Sequence, residues 1–501
     1  MVKRSNMQRF ITIALSTTVV LAAVSVMAQA EVMQTKAQTI APTKAQTKEE
    51  RFYIEDIQYA DNMPKVSNTP EYWMLQAPDP FGLQMNQEGL SLLNETFWLG
   101  AGTGMQDLMQ YQADEGTVSG EVLYQQLRLT PKLLSGYFPD GSPVTQEFCA
   151  ELTNNIINAE VNTMQSVQYA ICTARAQIRT YPSLMPVTEI IGNPNTDLGS
   201  VGLLRVNEPM VIQAISADGM FYQVVTAAGS GWVSSDYAAI CTGREQWLEA
   251  WQYGQSEQNE FLVVLADCLN MTGLDGKEYT ATMGTKLQLV PAEQLLSVPN
   301  HFDETDYVVR FPKRQADGSY RTVLAAIPQD AEVSVGYPAL NTAAILQQAF
   351  QGMDRTYSWG SPAQLQDVSG MVRDLYQCFG LELPMQEAGQ QVIHADQYML
   401  AHLTQKEKAA LLDELSAGTL LFMDNRELLY LGNAGNRHYA IGTLDQIEEN
   451  RATGQMQVTR QLEIFSLEDT VTAGKYWMDC LETAVVPYSP AKDIAFASME
   501  G

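Results

Sequence analysis

The sequence predicts a multi-domain α+β protein: a mainly helical N-terminal segment, two small β-barrels in tandem, and a C-terminal α+β domain. Three observations carry this prediction. A chain of 501 residues holds about three domains at roughly 150 residues each. Between residues 166 and 335, short strand-like runs alternate with glycine-bearing turns through two successive cycles. From residue 336 onward, helical periodicity comes first and strand-like alternation follows.

Composition narrows the function classes. The chain is 46% hydrophobic, enough to fill several cores, and the pattern is neither collagen-like, coiled-coil nor polytopic. Acidic residues outnumber basic ones, 58 to 30, for a net charge of −28. Phosphate backbones and anionic membrane surfaces would be repelled, so no nucleic-acid partner is expected.

The chain opens like an export leader. Lys3, Arg4 and Arg9 precede an uncharged apolar run from Phe10 to Val26, and Ala28-Gln29-Ala30 supplies small residues for cleavage. Residues 1–30 are read as a signal peptide, which leaves no membrane span in the mature chain. Its loss removes three positive charges and takes the net charge to −31. The expected location is secreted, in the periplasm or cell envelope. Residues 31–50 repeat Thr-Lys-Ala-Gln-Thr at 35–39 and 43–47, too polar to build a core, and are read as a flexible tether.

Residues 51–165 form the helical segment, with helical apolar spacing at Leu90–Phe97 and Cys149–Ile157. The first barrel, 166–250, is read from strand-like runs at Met210–Ile215, Phe221–Thr226 and Trp232-Val233. The second, 251–335, is read from Phe261–Leu265, Lys286–Val290, Tyr307–Phe311 and Tyr320–Ile327. In the last domain, 336–501, Asn341–Phe350 reads as a helix. Ser369–Phe379 reads as another, with Met371, Leu375 and Phe379 on one face and Gly380 as its stop. Thr404 and Glu407 form a capping box for a third helix through Leu415. Strands follow at Thr419–Met423, Leu428–Gly432 and Tyr439–Gly442.

Several short motifs stand in a distinctive order: Arg175 to Pro182, Glu208-Pro209, Gly231-Trp232-Val233, Gly336-Tyr337-Pro338, Tyr357-Ser358-Trp359-Gly360, Asp367-Val368-Ser369-Gly370, Leu383-Pro384 with Gln390, and Leu429-Tyr430-Leu431-Gly432. Over roughly residues 80–485 this order resembles the secreted NlpC/p60 cell-wall cysteine peptidases. Those carry an N-terminal stabilising segment and two bacterial SH3-like domains. The resemblance implies two small SH3-like β-barrels followed by a papain-like NlpC/p60 α+β domain, acting on the γ-D-glutamyl–diamino acid bond of peptidoglycan stem peptides.

In that family the nucleophile is the cysteine of an Asp-Cys-Ser-Gly motif at a helix N-terminus, where unpaired N–H groups favour a thiolate. A histidine opening the following hairpin is its base, and a third polar residue orients the histidine. Here the cysteine position carries Val368, which has no nucleophile. The base position falls on Arg426, whose guanidinium cannot accept a proton. The orienting position falls on Gly442 when the strand is aligned, the favoured choice, or on His438 when counted from Gly432. Cys378 lies ten residues beyond Val368 in sequence, about 15 Å along a helix, too far to substitute. Ser369 has no identifiable base.

Tyr357, Trp359, Asp367 and Ser369 match the family's substrate-contacting residues, an acidic group against an aromatic wall that suits an ammonium. Two readings are open: a retained pocket, or Asp367 as a helix cap and Trp359 as core filling. Met385 and Glu387 replace the family's Arg and Ser after Leu-Pro. The resemblance also places Cys172 and Cys241 on neighbouring first and last strands of the first barrel, which makes them a candidate disulfide. No metal site and no cofactor are implied, since no CxxC pair occurs and the four histidines lack ligand spacing. The expected function is a non-catalytic binder of peptidoglycan stem peptides or of a cell-envelope protein. The alternative is an active peptidoglycan hydrolase using other residues.

Overall fold

The computed structural model describes residues 68–111, 131–161, 168–191, 197–253, 260–295, 306–351, 368–423, 426–449, 456–472 and 475–491. All belong to one compact unit, Ile54–Gly501. The leader, the tether, Tyr357, Trp359 and Asp367 lie outside the described residues.

Two longer helices stand among the described residues of the N-terminal segment, besides the short Pro70–Met74 and Pro131–Leu134. Helix α1, Gln87–Leu99, is capped by the Asn86 side chain, which accepts from the Gly89 N–H. Helix α2, Gln146–Ile157, is capped in the same way by Thr145 on Phe148. Each cap satisfies one of the amides that a helix start leaves without a partner. Leu90, Leu93 and Phe97, spaced by three and four residues, bury one face of α1.

The two β units share one topology. The first contains β1 Gln168–Cys172, β2 Ala176–Arg179, β3 Ser200–Leu204, β4 Pro209–Ile215, β5 Phe221–Thr226, β6 Gly229–Ser234 and β7 Ala238–Ile240. Its strand order is β3-β2-β6-β5-β4-β1-β7. After helix α3, Arg244–Trp251, come β8 Phe261–Val264, β9 Cys268–Gly273, β10 Glu278–Thr282, β11 Lys286–Leu289, β12 Tyr307–Arg314, β13 Tyr320–Ile327 and β14 Val333–Val335. Their order is β10-β9-β13-β12-β11-β8-β14. Counted from the first strand of each unit, the two orders are identical, so one fold occurs twice. The sequence showed two cycles of strands; it did not show this equivalence. Turns such as Gly219 and Gly318 adopt positive φ of 74° and 86°, which only glycine enters without strain.

The C-terminal domain begins with helix α4, Thr342–Phe350, capped by Asn341. Helix α5, Val368–Gln377, follows, and Gly380 at φ 87° ends the run. Then come α6 Glu387–Gln391, β15 Ala395–Met399, α7 Gln405–Leu412, β16 Leu420–Met423, β17 Arg426–Ala434, β18 Arg437–Glu449, β19 Met456–Ser466 and β20 Thr483–Pro490. The sheet order is β15-β20-β16-β17-β18-β19. The Thr404–Glu407 capping box is present, but α7 ends at Leu412, three residues before the expected Leu415. Side chains alternate across this sheet. Leu429, Leu431 and Ile441 join the core under α5, whereas Leu428, Tyr430 and Ala440 join a second core with Phe465 and Trp477.

Each module reaches into the next. Met385 of the C-terminal domain is 4% exposed and sits in the core of the first β unit. Its backbone N–H donates to the Ala228 carbonyl at 3.1 Å. A Cβ at Gly202 would lie 3.3 Å from Met385 Cβ, and one at Gly229 3.4 Å from Sδ, so this pair of glycines forms the slot. Val206, from the first unit, lies in the core of the second. Beside it the Asn207 amide donates to the Ala250 and Lys286 carbonyls and to the Tyr253 hydroxyl. Helix α1 is held to the end of the α5 segment through Asn94 Nδ2 on the Gly380 carbonyl at 2.8 Å, and Trp98 Nε1 on Glu382 at 3.1 Å.

At the centre lies a buried ionic cluster. Asp374 of α5 accepts from Arg175 and Arg205, both at 2.8 Å. Arg373 pairs with Glu208 and donates to the Leu203 carbonyl at 2.9 Å. Arg175 also donates to Thr282 Oγ1 of the second unit at 2.7 Å. All five charged side chains are at most 8% exposed. Burial disfavours the Asp374 carboxylate, but Arg175, Arg205 and Arg373 outweigh this and hold its pKa below the ordinary 3.8. Its contribution to stability is therefore complete above pH 3.8 and is lost as pH falls through the lowered value. Asp374→Ala leaves Arg175 buried without its ion-pair partner and Arg205 with only the longer contact to Glu208, at 3.6 Å. It is expected to cost about 3–5 kcal/mol while unfolding stays a single transition, measured by urea denaturation followed through tryptophan fluorescence.

Candidate ligand-binding site

Val368 is the first residue of α5 and is 3% exposed. It belongs to the same apolar core as Met371, Val372, Leu375, Leu429, Leu431, Ile441 and Val485. Ser369 is also buried, at 4%. Gln390, fully buried, donates from Nε2 to the Ser369 and Pro384 carbonyls, both at 2.9 Å, and so ties α6 to the start of α5. Of the four expected substrate contacts, only Ser369 lies within the described residues.

The position expected to hold the base does not face α5. Arg426 shares the face of Leu428 and Tyr430, and its guanidinium carbon is 5.9 Å from the Trp477 ring centroid, on the far side of the sheet. A one-residue offset reverses the face in a strand. The residue at this strand start on the α5 side is Glu427, opposite Phe422 in register and 4% exposed. Its charge lies close enough to Tyr376 to add to the effect of burial in raising that phenol's pKa. Sequence reasoning missed Glu427; the signal was a lone acid before the apolar run Leu428 to Leu431, next in line on the Leu429 face.

Neither orienting candidate faces α5. A Cβ at Gly442 would meet Leu428 Cδ2 at 2.6 Å and Phe465 Cε1 at 2.7 Å, so no side chain fits there. His438 is 2% exposed and lies on the same far face, its ring stacked on Tyr430 at 6.2 Å. Its Nδ1 is 2.9 Å from Glu468 and its Nε2 3.2 Å from Asp413.

Cys378 is fully buried just beyond α5, and burial pushes its thiol up to about 12. The expected Cys172–Cys241 bridge is absent, and all six cysteines are free thiols. Cys172 pairs with Ala238 across β1–β7, whereas the Cys241 amide bonds to the Tyr169 carbonyl, three residues back along β1. That odd offset also puts them on opposite faces, Cys172 in the core of the first unit and Cys241 against Trp247 of α3. Burial raises both thiols to about 12. Among the described residues no group of His, Cys, Asp and Glu has the arrangement of a metal site. No described helix is long and apolar enough to cross a membrane.

Two outcomes follow from this geometry. Gly442→Ala is expected to destabilise by about 1–3 kcal/mol through overpacking, measured as a lowered midpoint in urea. A peptide map of the unfolded, unreduced protein is expected to show six alkylated thiols and no Cys172–Cys241 peptide.

Residues 354–471 match the NlpC/P60 family. The solved structure of an NlpC/P60 endopeptidase from Photobacterium damselae subsp. piscicida aligns with a TM-score of 0.63 at 13% identity, covering 84% of this chain and 97% of that one. At this identity the likeness shows a shared fold. The structure of NlpC1 from Trichomonas vaginalis aligns at 12% identity over 62% of this chain and 95% of that one, with a TM-score of 0.21, too low to carry an argument. No curated protein matches the chain.

Proposed function

We propose that this chain, whose residues 354–471 form an NlpC/P60 domain, is a secreted, non-catalytic member of that peptidoglycan-directed group. On this reading it recognises stem peptides or a cell-envelope protein without cutting a bond. The observation that carries the proposal is Val368, a buried valine in the core under α5 at the place of the family's nucleophilic cysteine. Arg426, Gly442 and His438 add to it, because all three lie on the other face of the sheet. A thiol nucleophile and an imidazole on its side of the sheet are what the family chemistry requires.

The proposed organisation is a leader at 1–30, a tether at 31–50, a stabilising segment at 51–165, SH3-like modules at 166–250 and 251–335, and the degenerate NlpC/P60-like domain at 336–501. The identical strand order of the two β units supports treating them as a tandem pair. Tyr357, Trp359, Asp367 and Ser369 are the proposed ligand contacts.

The test is retention of the purified mature protein on intact peptidoglycan, with soluble products followed by mass spectrometry. Retention without released stem peptides, weakened by Asp367→Asn or Trp359→Ala, is the expected result. Stem peptides cut in proportion to protein added would replace this reading with that of a hydrolase using other residues. Neither retention nor cutting would remove the peptidoglycan ligand and leave the envelope protein as partner.

A further inference from the structure

Away from the α5 side of the sheet, one buried side chain has more acceptors than its neutral form can serve. His438 Nδ1 is 2.9 Å from Glu468 Oε1 and Nε2 is 3.2 Å from Asp413 Oδ1. A neutral imidazole carries one N–H; only the imidazolium donates from both nitrogens. The two carboxylates come from different elements. Asp413 is the C-cap residue of α7, and Glu468 lies in the turn after β19. His438 itself sits on β18, and its backbone N–H donates to Glu468 as well.

We infer that His438 is a proton-operated clamp: charged, its imidazole ties both the end of α7 and the turn after β19 to the β17–β18 hairpin, and uncharged that ring donates to only one of the two carboxylates. The other groups around it are already engaged. Arg437 pairs with Asp469 at 2.5 Å and donates to Ser466 Oγ. Asn433 of β17 donates to Asp413 at 2.7 Å, and Ser466 donates to Glu468 at 2.7 Å. Tyr430 supplies the stacked ring, and its burial keeps the phenol protonated. No cation on these elements contacts either carboxylate of the clamp among the described residues.

Burial works against the imidazolium, but the hydrogen bond and charge of Glu468, with the charge of Asp413, hold the His438 pKa above its ordinary 6.5. Burial likewise opposes the Glu468 carboxylate, yet His438 and Ser466 hold it below its ordinary 4.5. The histidine term is therefore fully present below pH 6.5 and is lost as pH rises through the raised value. The glutamate term is fully present above pH 4.5 and is lost as pH falls through the lowered one. The clamp is tightest between these limits. On the alkaline side a neutral imidazole that donates to Glu468 leaves Asp413 held by Asn433 without its charged partner, and Asp413 begins the segment whose Gly418 carbonyl accepts the Tyr376 hydroxyl of α5 at 2.5 Å. A proton on one face of the sheet is thereby coupled to the seating of the helix on the other.

The test is an NMR titration of the histidine side chains in the full mature protein, with His438→Gln assigning the resonance. It is paired with amide hydrogen exchange, corrected for its intrinsic pH dependence. The expected result is a His438 midpoint above 6.5 and exchange at residues 413–419 that rises at least several-fold across that midpoint. Asp413→Asn, a change at a half-exposed carboxylate, is expected to lower the midpoint while the fold is kept. A His438 midpoint at or below 6.5, or exchange at 413–419 indifferent to pH through it, overturns the inference.

Discussion

The position of α5 depends on the buried charges of Asp374 and Arg373. A charge removed from water is tolerable only when it is paired and hydrogen-bonded. Here the partners come from elsewhere: Arg175, Arg205 and Glu208 from the first β unit, with Arg175 in turn held by Thr282 of the second. The helix that opens with Val368 therefore cannot shift without stranding charge both in its own domain and in the first β unit. Apolar packing reinforces the same constraint, through Met385 in the first unit and Val206 in the second. The β units are structural partners of the C-terminal domain, whatever else they bind.

Much of this fold was legible in the sequence because local rules agree with it. The 3.6-residue spacing of Leu90, Leu93 and Phe97, the Thr404–Glu407 box and the Gly380 stop each have a local cause, and each is present. The strand runs from Phe221 and Tyr320 also stand where alternation put them. What could not be read was long-range. Asp374 and Glu208 are 166 residues apart in the chain, and nothing local says that they share a cluster. Gly202 and Gly229 look like ordinary strand glycines until Met385 is seen between them.

The strand that carries the candidate site was legible in the sequence; the face taken by each side chain at its start was not. Aligning the hairpin on its Leu-Tyr-Leu-Gly run put Arg426 at the base position, yet sheet parity directs Arg426 to Trp477 and Glu427 to the α5 side. The disulfide expectation failed for a related reason. Strands β1 and β7 do pair, but an odd register offset puts Cys172 and Cys241 on opposite faces. Adjacency of strands is a weaker condition than adjacency of side chains. Val368 itself is a buried valine that heads α5 in an apolar core.

On the proposed reading, catalysis is missing twice over, in the nucleophile and in the base. Val368→Cys restores only the first. The most direct measurement is hydrolysis of a γ-D-glutamyl–diamino acid peptide by this variant, compared with the parent protein. The account predicts no turnover above the parent. Turnover by Val368→Cys, abolished by alkylating the new thiol, would show that a working base remains and would contradict it.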